Sequence, residues 1–177
     1  DLCIESGLTI PHLTEDVIKR IDEILPPYWS RENPIDLVGE FHPEIPMKVV
    51  EILTDWDQCD AIIHLGAVGR TFFVENMLNA AVSSDPNVPQ VVYEEGLKIF
   101  RKGEQDFFEH TVRLMEKYGK PILGVYLLKD EQRKTITEIA GSPYKGVAFL
   151  TPEQAVRALA RMVDYYDWLK SEGVCED

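Results

Sequence analysis

The sequence predicts a doubly wound, three-layer α/β domain built on a parallel sheet. Short, nearly unbroken apolar runs at residues 60–65, 122–128 and 147–150 alternate with segments of helical spacing. Runs that are apolar on both sides of the pleat suit strands covered on both faces, and strands separated by helices pair in parallel. At 177 residues the chain fits one domain, able to bury about two-thirds or more of its extended surface. No internal repeat or low-complexity segment interrupts the alternation.

Residues 1–6 read as the last turn of a helix, Gly7 suits a left-handed C-cap, and residues 8–10 read as a short strand. The chain thus starts inside an αβ unit and is expected to be a fragment of something longer. Thr14 then caps a helix with Glu15 and Asp16 in its first turn, favourable against the dipole. Val17, Ile18, Ile21, Ile24 and Leu25 form its apolar stripe, and Pro26-Pro27 stops it. A second helix is predicted over residues 43–56, where Pro43 and Pro46 are tolerable near the first turn and Met47, Val50 and Leu53 supply the buried face.

After the strand at 60–65 the pattern turns helical beyond Gly69, with Phe72, Phe73, Asn76, Met77 and Ala80 on neighbouring turns, until residues 83–89 break it. Residues 94–118 have the spacing of a long helix, with Leu97, Phe100, Phe107, Phe108, Val112, Leu114 and Met115 as apolar residues. Gly103 within it costs about 1 kcal/mol relative to alanine. Gly119-Lys120-Pro121 ends that helix, residues 122–128 form a strand, 129–140 another helix, and 147–150 a last short strand. Thr151-Pro152-Glu153-Gln154 is a capping box: a hydroxyl N-cap, proline at the first helical position and an amide at the third. The closing helix is expected to turn Ala155, Val156, Leu159, Met162 and Val163 inward.

Composition excludes several classes of function. With 31 acidic against 18 basic residues the formal charge is −13, which repels nucleic acid over most of the surface. Cys3, Cys59 and Cys175 are unclustered and odd in number, against a disulfide scaffold and a cysteine-rich zinc site; a reducing cytoplasm is the expected setting. No apolar run approaches the roughly 20 residues that span a bilayer, and no membrane partner is expected. There is no nucleophile elbow, P-loop or dinucleotide fingerprint, and the first strand lacks the acidic pair of a phosphorylated-aspartate receiver.

The strongest candidate site is the segment Gly66, Ala67, Val68, Gly69 and Arg70, directly after the apolar run Ala61-Ile62-Ile63-His64-Leu65. A strand that runs through glycines into a helix leaves backbone N–H groups free at the positive end of the helix dipole. The dipole alone stabilises a phosphate there by ~0.3–2 kcal/mol. The alternative is that Gly66 and Gly69 only permit a tight connection. Asn33-Pro34-Ile35-Asp36 is likewise either a structural turn or part of an interdomain site. His64 near a strand end is open to phosphorylation or proton transfer, or is a core histidine. His12, His42 and His110 are dispersed without metal-ligand spacing, Cys59 reads as a small buried residue, and Glu94-Glu95 and Asp55-x-Asp57 read as solvated acidic surface rather than metal ligands.

These pieces have a familiar order. Cys3-x-x-x-Gly7-Leu8-x-Ile10, the helix of residues 14–25 with Pro26-Pro27, Asn33-Pro34-Ile35-Asp36-Leu37, Asp60-Ala61-Ile62-Ile63, Lys120-Pro121-Ile122 and Pro152-Glu153-x-Ala155-Val156-Arg157-Ala158-Leu159 follow one another. Together they resemble the ligase-type flavodoxin-like domain of NDP-forming acyl-CoA synthetases. That family includes the ADP-forming acetate–CoA ligases and, more distantly, the carboxyl-terminal domain of the succinyl-CoA synthetase beta subunit. The resemblance covers most of the chain, except that residues 72–118 are longer than the family pattern.

The resemblance implies a reaction in which acid, CoA and ATP interconvert with acyl-CoA, ADP and phosphate through an acyl phosphate and a phosphohistidine. It also implies partner modules in the same enzyme: a CoA-binding domain, a histidine-bearing domain and an ATP-grasp module. CoA, ATP or ADP and magnesium would belong to that full enzyme; this chain would carry no catalytic residue and bind no cofactor or metal by itself. Its role would be a helix N-terminus that stabilises the phosphohistidine, which maps onto Gly66, Ala67, Val68, Gly69 and Arg70, with Asn33, Pro34 and Asp36 in an interdomain loop. The relatives do not fix an arginine at the position of Arg70, whose guanidinium would add charge-assisted contacts. Two other functions stay open on the residues: a regulatory or scaffolding domain of a protein acyltransferase-type assembly, and a flavodoxin-like small-molecule binding module.

Overall fold

The computed structural model describes residues 1–40, 42–85, 89–128 and 134–174, with only the backbone described at Gln90 and Val92. The elements are α1 (Leu2–Glu5), α2 (Glu15–Asp22), α3 (Glu44–Asp55), β1 (Ile62–Val68), α4 (Arg70–Ser84), α5 (Gln90–Tyr118), β2 (Ile122–Tyr126), β3 (Ile136–Glu138), β4 (Lys145–Phe149) and α6 (Pro152–Ser171). The strands form one sheet in the order β1-β2-β4-β3. β1, β2 and β4 pair in parallel, and β3 runs antiparallel on the outer edge of β4. This is the α/β fold expected, a mostly parallel sheet flanked by helices.

β2 lies between β1 and β4 and is buried at all five positions, as its unbroken apolar run requires. Side chains alternate across it. Ile122 and Tyr126 join the cluster that holds Phe107, Phe108, Val112, Leu114 and Met115 of α5, while Leu123 and Val125 turn to the opposite face, against α6. α6 covers that face with Ala155, Val156 and Leu159. α3 packs beside α5, and α2 closes the outside with Val17 and Ile21, both fully buried.

Several local readings hold in detail. Gly7 has φ +83, and the N–H groups of Gly7 and Leu8 donate to the carbonyls of Ile4 and Cys3, closing α1 with a Schellman motif. Thr14 is the N-cap of α2 by position, with extended backbone and no side-chain cap bond. Thr151 Oγ1 accepts from Gln154 N at 3.4 Å, and Gln154 Oε1 accepts from Leu150 N at 3.2 Å, so the capping box forms with its return bond one residue early. The long helix runs unbroken through Gly96 and Gly103 and starts at Gln90, four residues before the expected 94.

Other expectations are corrected. Residues 8–10 form no strand: Thr9 and Ile10 are exposed and Pro11 follows, so the segment has neither an apolar face to bury nor a ladder to join. Of the helix expected over 129–140, residues 129–133 lie outside the described residues and 136–138 are β3. Thr135, Ile136, Thr137 and Ile139 are β-branched, a composition that suits a pleated edge better than a helix. β1 continues three residues past the predicted end at 65, through Gly66, Ala67 and Val68. Met162 and Val163 point into solvent rather than inward, because α6 outruns the sheet that covers its first two turns. In the break at 83–89, residues 86–88 lie outside the described residues, as does Cys175.

Candidate functional site

The end of β1 is shaped by one irregularity. Residue pairing with β2 passes from Leu65↔Val125 directly to Val68↔Tyr126, so Gly66 and Ala67 are extra residues on the β1 side, a bulge. Gly66 takes φ +69 there, and Gly69 takes φ +86 as the N-cap of α4. The connection is tight: Leu127 N donates to Val68 O at 2.9 Å, and a Cβ placed on Gly69 would sit 2.9 Å from that same nitrogen. Glycine is therefore needed at 69 for both conformation and space. Val68 and Gly69 are buried, while Gly66, Ala67 and Arg70 remain partly accessible at the carboxyl edge of the sheet.

Arg70 is the first residue of α4. Its Nε donates to Gly66 O at 3.1 Å, which straps the helix start to the bulge, and burial pulls its pKa down. Among the described residues no carboxylate lies within ion-pair distance of this guanidinium. A half-buried cation at the positive end of a helix dipole is an electrostatically poor arrangement that a nearby anion relieves.

At the next residue an internal carboxylate caps the helix start. Glu104 of α5 accepts from Thr71 Oγ1 at 2.9 Å and from Thr71 N at 3.4 Å. A carboxylate from another helix thus caps the start of α4, where Gly69 has no side chain to do so. Glu104 is a capping residue that sequence reading missed; it lies 33 residues from Thr71, and no local pattern marks it. Thr71, Phe72 and Glu104 also border an open cleft of about 1110 Å³ between α4, α5 and β3, whose far wall carries Tyr126, Lys134 and Ile136. Its charged lining is mixed, with Arg101, Lys134 and Lys145 facing Glu75, Glu109 and Glu138.

The loop of Asn33, Pro34 and Asp36 is tied down locally. Asn33 Nδ2 donates to Pro11 O at 3.2 Å and Asp36 Oδ1 accepts from Val38 N at 2.8 Å, an Asx turn that helps hold Val38 at φ +49. Upstream, Asp22 accepts from Trp29 Nε1 at 2.7 Å and pairs with Arg31 at 2.8 Å, which holds its carboxyl below the usual range, the Trp29 bond contributing most. These bonds do not link the loop to Gly66, Ala67, Val68, Gly69 or Arg70.

His64 points from β1 toward α5. Its ring meets Phe107 edge-on, with centroids 4.9 Å apart at 79°, and lies over Gly124 of β2. Nδ1 is buried with no hydrogen-bond partner, and burial pushes the pKa down to about 4. This half-buried, neutral imidazole packs against core side chains. His110 Nε2 lies 3.3 Å from Met47 O and ties α5 to α3. Cys59 is buried with its Sγ donating to Ala61 O at 3.4 Å, and burial raises the thiol pKa. Among the described residues no group of three or more His, Cys, Asp or Glu is placed to hold a metal ion, and no helix is long and apolar enough to cross a membrane.

Over 173 residues, 97% of its length, the chain is 23% identical to the ADP-forming 4-hydroxybutyrate–CoA ligase of Nitrosopumilus maritimus (strain SCM1). That similarity supports a distant relationship to the NDP-forming acyl-CoA synthetases. The chain spans about a fifth (20%) of the length of this ligase. No protein-family model matches the chain.

Proposed function

We propose that this chain is one α/β domain of an NDP-forming acid–CoA ligase and that the start of α4 stabilises a phosphorylated histidine delivered by another domain of that enzyme. The observation that carries the reading is the similarity along 97% of the chain to an ADP-forming CoA ligase. The local chemistry supports it. The bulge of Gly66 and Ala67 and the left-handed Gly69 aim the first turn of α4 at the carboxyl edge, and among the described residues no carboxylate pairs with the guanidinium of Arg70. A phosphoryl group arriving there meets backbone donors, the dipole and Arg70 together. Glu104 already occupies part of this position, so binding exchanges one anion for another at Thr71. CoA, nucleotide and magnesium would be held by the other domains, in a cytoplasmic enzyme.

The test uses the full-length protein that contains this chain. It should hydrolyse ATP only when acid and CoA are both present, and the 177-residue chain alone should show no such turnover. In the full enzyme, Gly69→Val should slow transfer of labelled phosphate from ATP to protein-bound histidine in rapid-quench experiments while leaving the Kd for CoA within about twofold. Equal loss of both, or turnover by the isolated chain, would end the reading.

A further inference from the structure

The sheet has two edges, and only one is guarded. The strand order is β1-β2-β4-β3, so β1 and β3 are both outermost. Exposed edges in soluble proteins are kept short or carry charge, because their free N–H and C=O groups are a template for pairing with other strands. β3 meets both conditions: it is three residues long, and Glu138 pairs with Lys145 of β4 at 3.1 Å. β1 meets neither. It has seven residues, and no Asp, Glu, Lys or Arg occurs from Ala61 to Gly69. The bulge at Gly66 and Ala67 leaves residues 62–65 in regular register with β2.

The unguarded edge presents defined groups. Ile62 N donates to Pro121 O at 3.0 Å, and in a parallel ladder alternate residues bond to the same neighbour. Ile62 and His64 therefore face β2, and the N–H and C=O of Ile63 and Leu65 point away from it. Among the described residues no hydrogen bond reaches these four groups. The side chains of the same two residues are short of cover. Their register partners on β2, Leu123 and Val125, are 6% and 4% exposed, whereas Ile63 is half-buried and Leu65 is 64% exposed. Parallel strands are apolar because both of their faces are covered, and β1 has that composition without the cover.

We infer that the free edge of β1 receives a further parallel strand, an apolar extended segment of the parent polypeptide that leads into α1. Backbone chemistry selects a strand as the occupant. Donors and acceptors on alternate residues of an extended chain are matched by another extended backbone. The helices select its source. α2 and α3 share the core with α5 on one face of the sheet, while α1 packs on α6 on the other. In right-handed crossovers, helices on the α5 face advance the chain in the direction from β1 to β2, so α2 and α3 bring it to β1 from beyond the free edge. A helix on the opposite face steps the other way. The strand before α1 therefore lies closer to β1 than the segment after it, in the slot beside Ile63 and Leu65. The chain covers 20% of the length of the ligase it resembles, and its reading as one domain of a longer protein, on which the inference rests, supplies the segment.

Hydrogen exchange on the full-length protein, read residue by residue, tests this without a variant. The amides of Ile63 and Leu65 should exchange within about tenfold of those of His64 and Val125, with the same protection from about 0.5 to 50 µM protein. Exchange more than about tenfold faster leaves the edge in solvent and overturns the inference. Protection that fades on dilution assigns the edge to a second molecule and overturns it as well. Removing the polypeptide before Asp1 should speed exchange at Ile63 and Leu65 at least about tenfold while Leu123 and Val125 stay protected. Protection that survives the removal overturns the source, and the intact protein decides the matter whether or not the shortened form folds. Leu65→Lys should lower the thermal midpoint of the full-length protein by several degrees, whereas Ile136→Lys on the guarded edge, where the side chain is 52% exposed, should leave it unchanged. Equal effects of the two would count against a strand over Leu65. Ligase activity is not a readout, so the result stands apart from the phosphohistidine role.

Discussion

Acid should loosen this fold through His64, by an amount the structure allows to be worked out. The imidazole lies between Phe107 and Gly124 with Nδ1 unpartnered among the described residues, and burial holds its pKa at about 4 in the fold against 6.5 for a free imidazole. A depressed pKa means that the unfolded chain takes up the proton first. The full contribution of neutral His64 is present above about pH 6.5, drains away as pH falls toward 4, and is level below that. The whole window is worth about 3 kcal/mol, a large share of the roughly 5–15 kcal/mol that holds a domain together. At about 2–4 °C per kcal/mol, the thermal midpoint should fall by about 6–12 °C. Denaturant titrations followed by circular dichroism between about pH 7 and pH 4.5 give the profile, and His64→Leu gives the control. The leucine variant lacks the titrating group and leaves no orphaned Nδ1, so it should match or exceed the parent at neutral pH by about 1 kcal/mol and lose less in acid. Asp22, Asp55, Glu116 and Glu153 also have lowered pKa values, but their contributions fade only as pH drops below the ordinary carboxylate range and are common to both proteins. Parallel pH profiles for parent and variant would refute the assignment.

Three other outcomes are expected. Gly124→Ala would place a Cβ 2.7 Å from His64 Cε1, an overpacking that costs about 1–3 kcal/mol; a double-mutant cycle with His64→Ala should recover at least about half of it, and simple additivity would count against the contact. Thr71→Val removes the 2.9 Å bond to Glu104 and should destabilise by about 1 kcal/mol in denaturant melts, whereas after Glu104→Gln the same change should cost less. Thr151→Ala deletes the N-cap oxygen of α6 and should lower stability by about 0.5–2 kcal/mol, with Thr151→Ser recovering most of it.

Much of the architecture was legible because its signals are local. The apolar run at 122–128 declared a strand covered on both faces, although that strand ends at Tyr126 and leaves Leu127 and Leu128 exposed; Gly7 and Gly119 declared helix ends, and Thr151 with Gln154 declared a helix start. Each depends on neighbours within a few residues, which is where spacing and backbone conformation are decided. Misreadings arose where a segment's partner is remote. Residues 136–138 became an edge strand because β4 offered an unpaired edge, which the bond from Ala148 N to Thr135 O extends by one residue. Met162 and Val163 keep the helical spacing of Leu159 but outrun the sheet, and no periodicity states how long a sheet is.

The candidate site divides the same way. From the sequence alone came a strand running through glycines into a helix, and with it a helix start at the carboxyl edge, because glycine's freedom at φ +86 is a property of the residue itself. Tertiary structure alone decided that β1 continues through Gly66 as a bulge, that Arg70 straps back to it, that Glu104 caps Thr71 from another helix, and that His64 turns its Nδ1 inward toward Phe107. Each of these depends on which distant groups share a low-dielectric space, and electrostatic and packing energies there follow distance in three dimensions rather than separation along the chain.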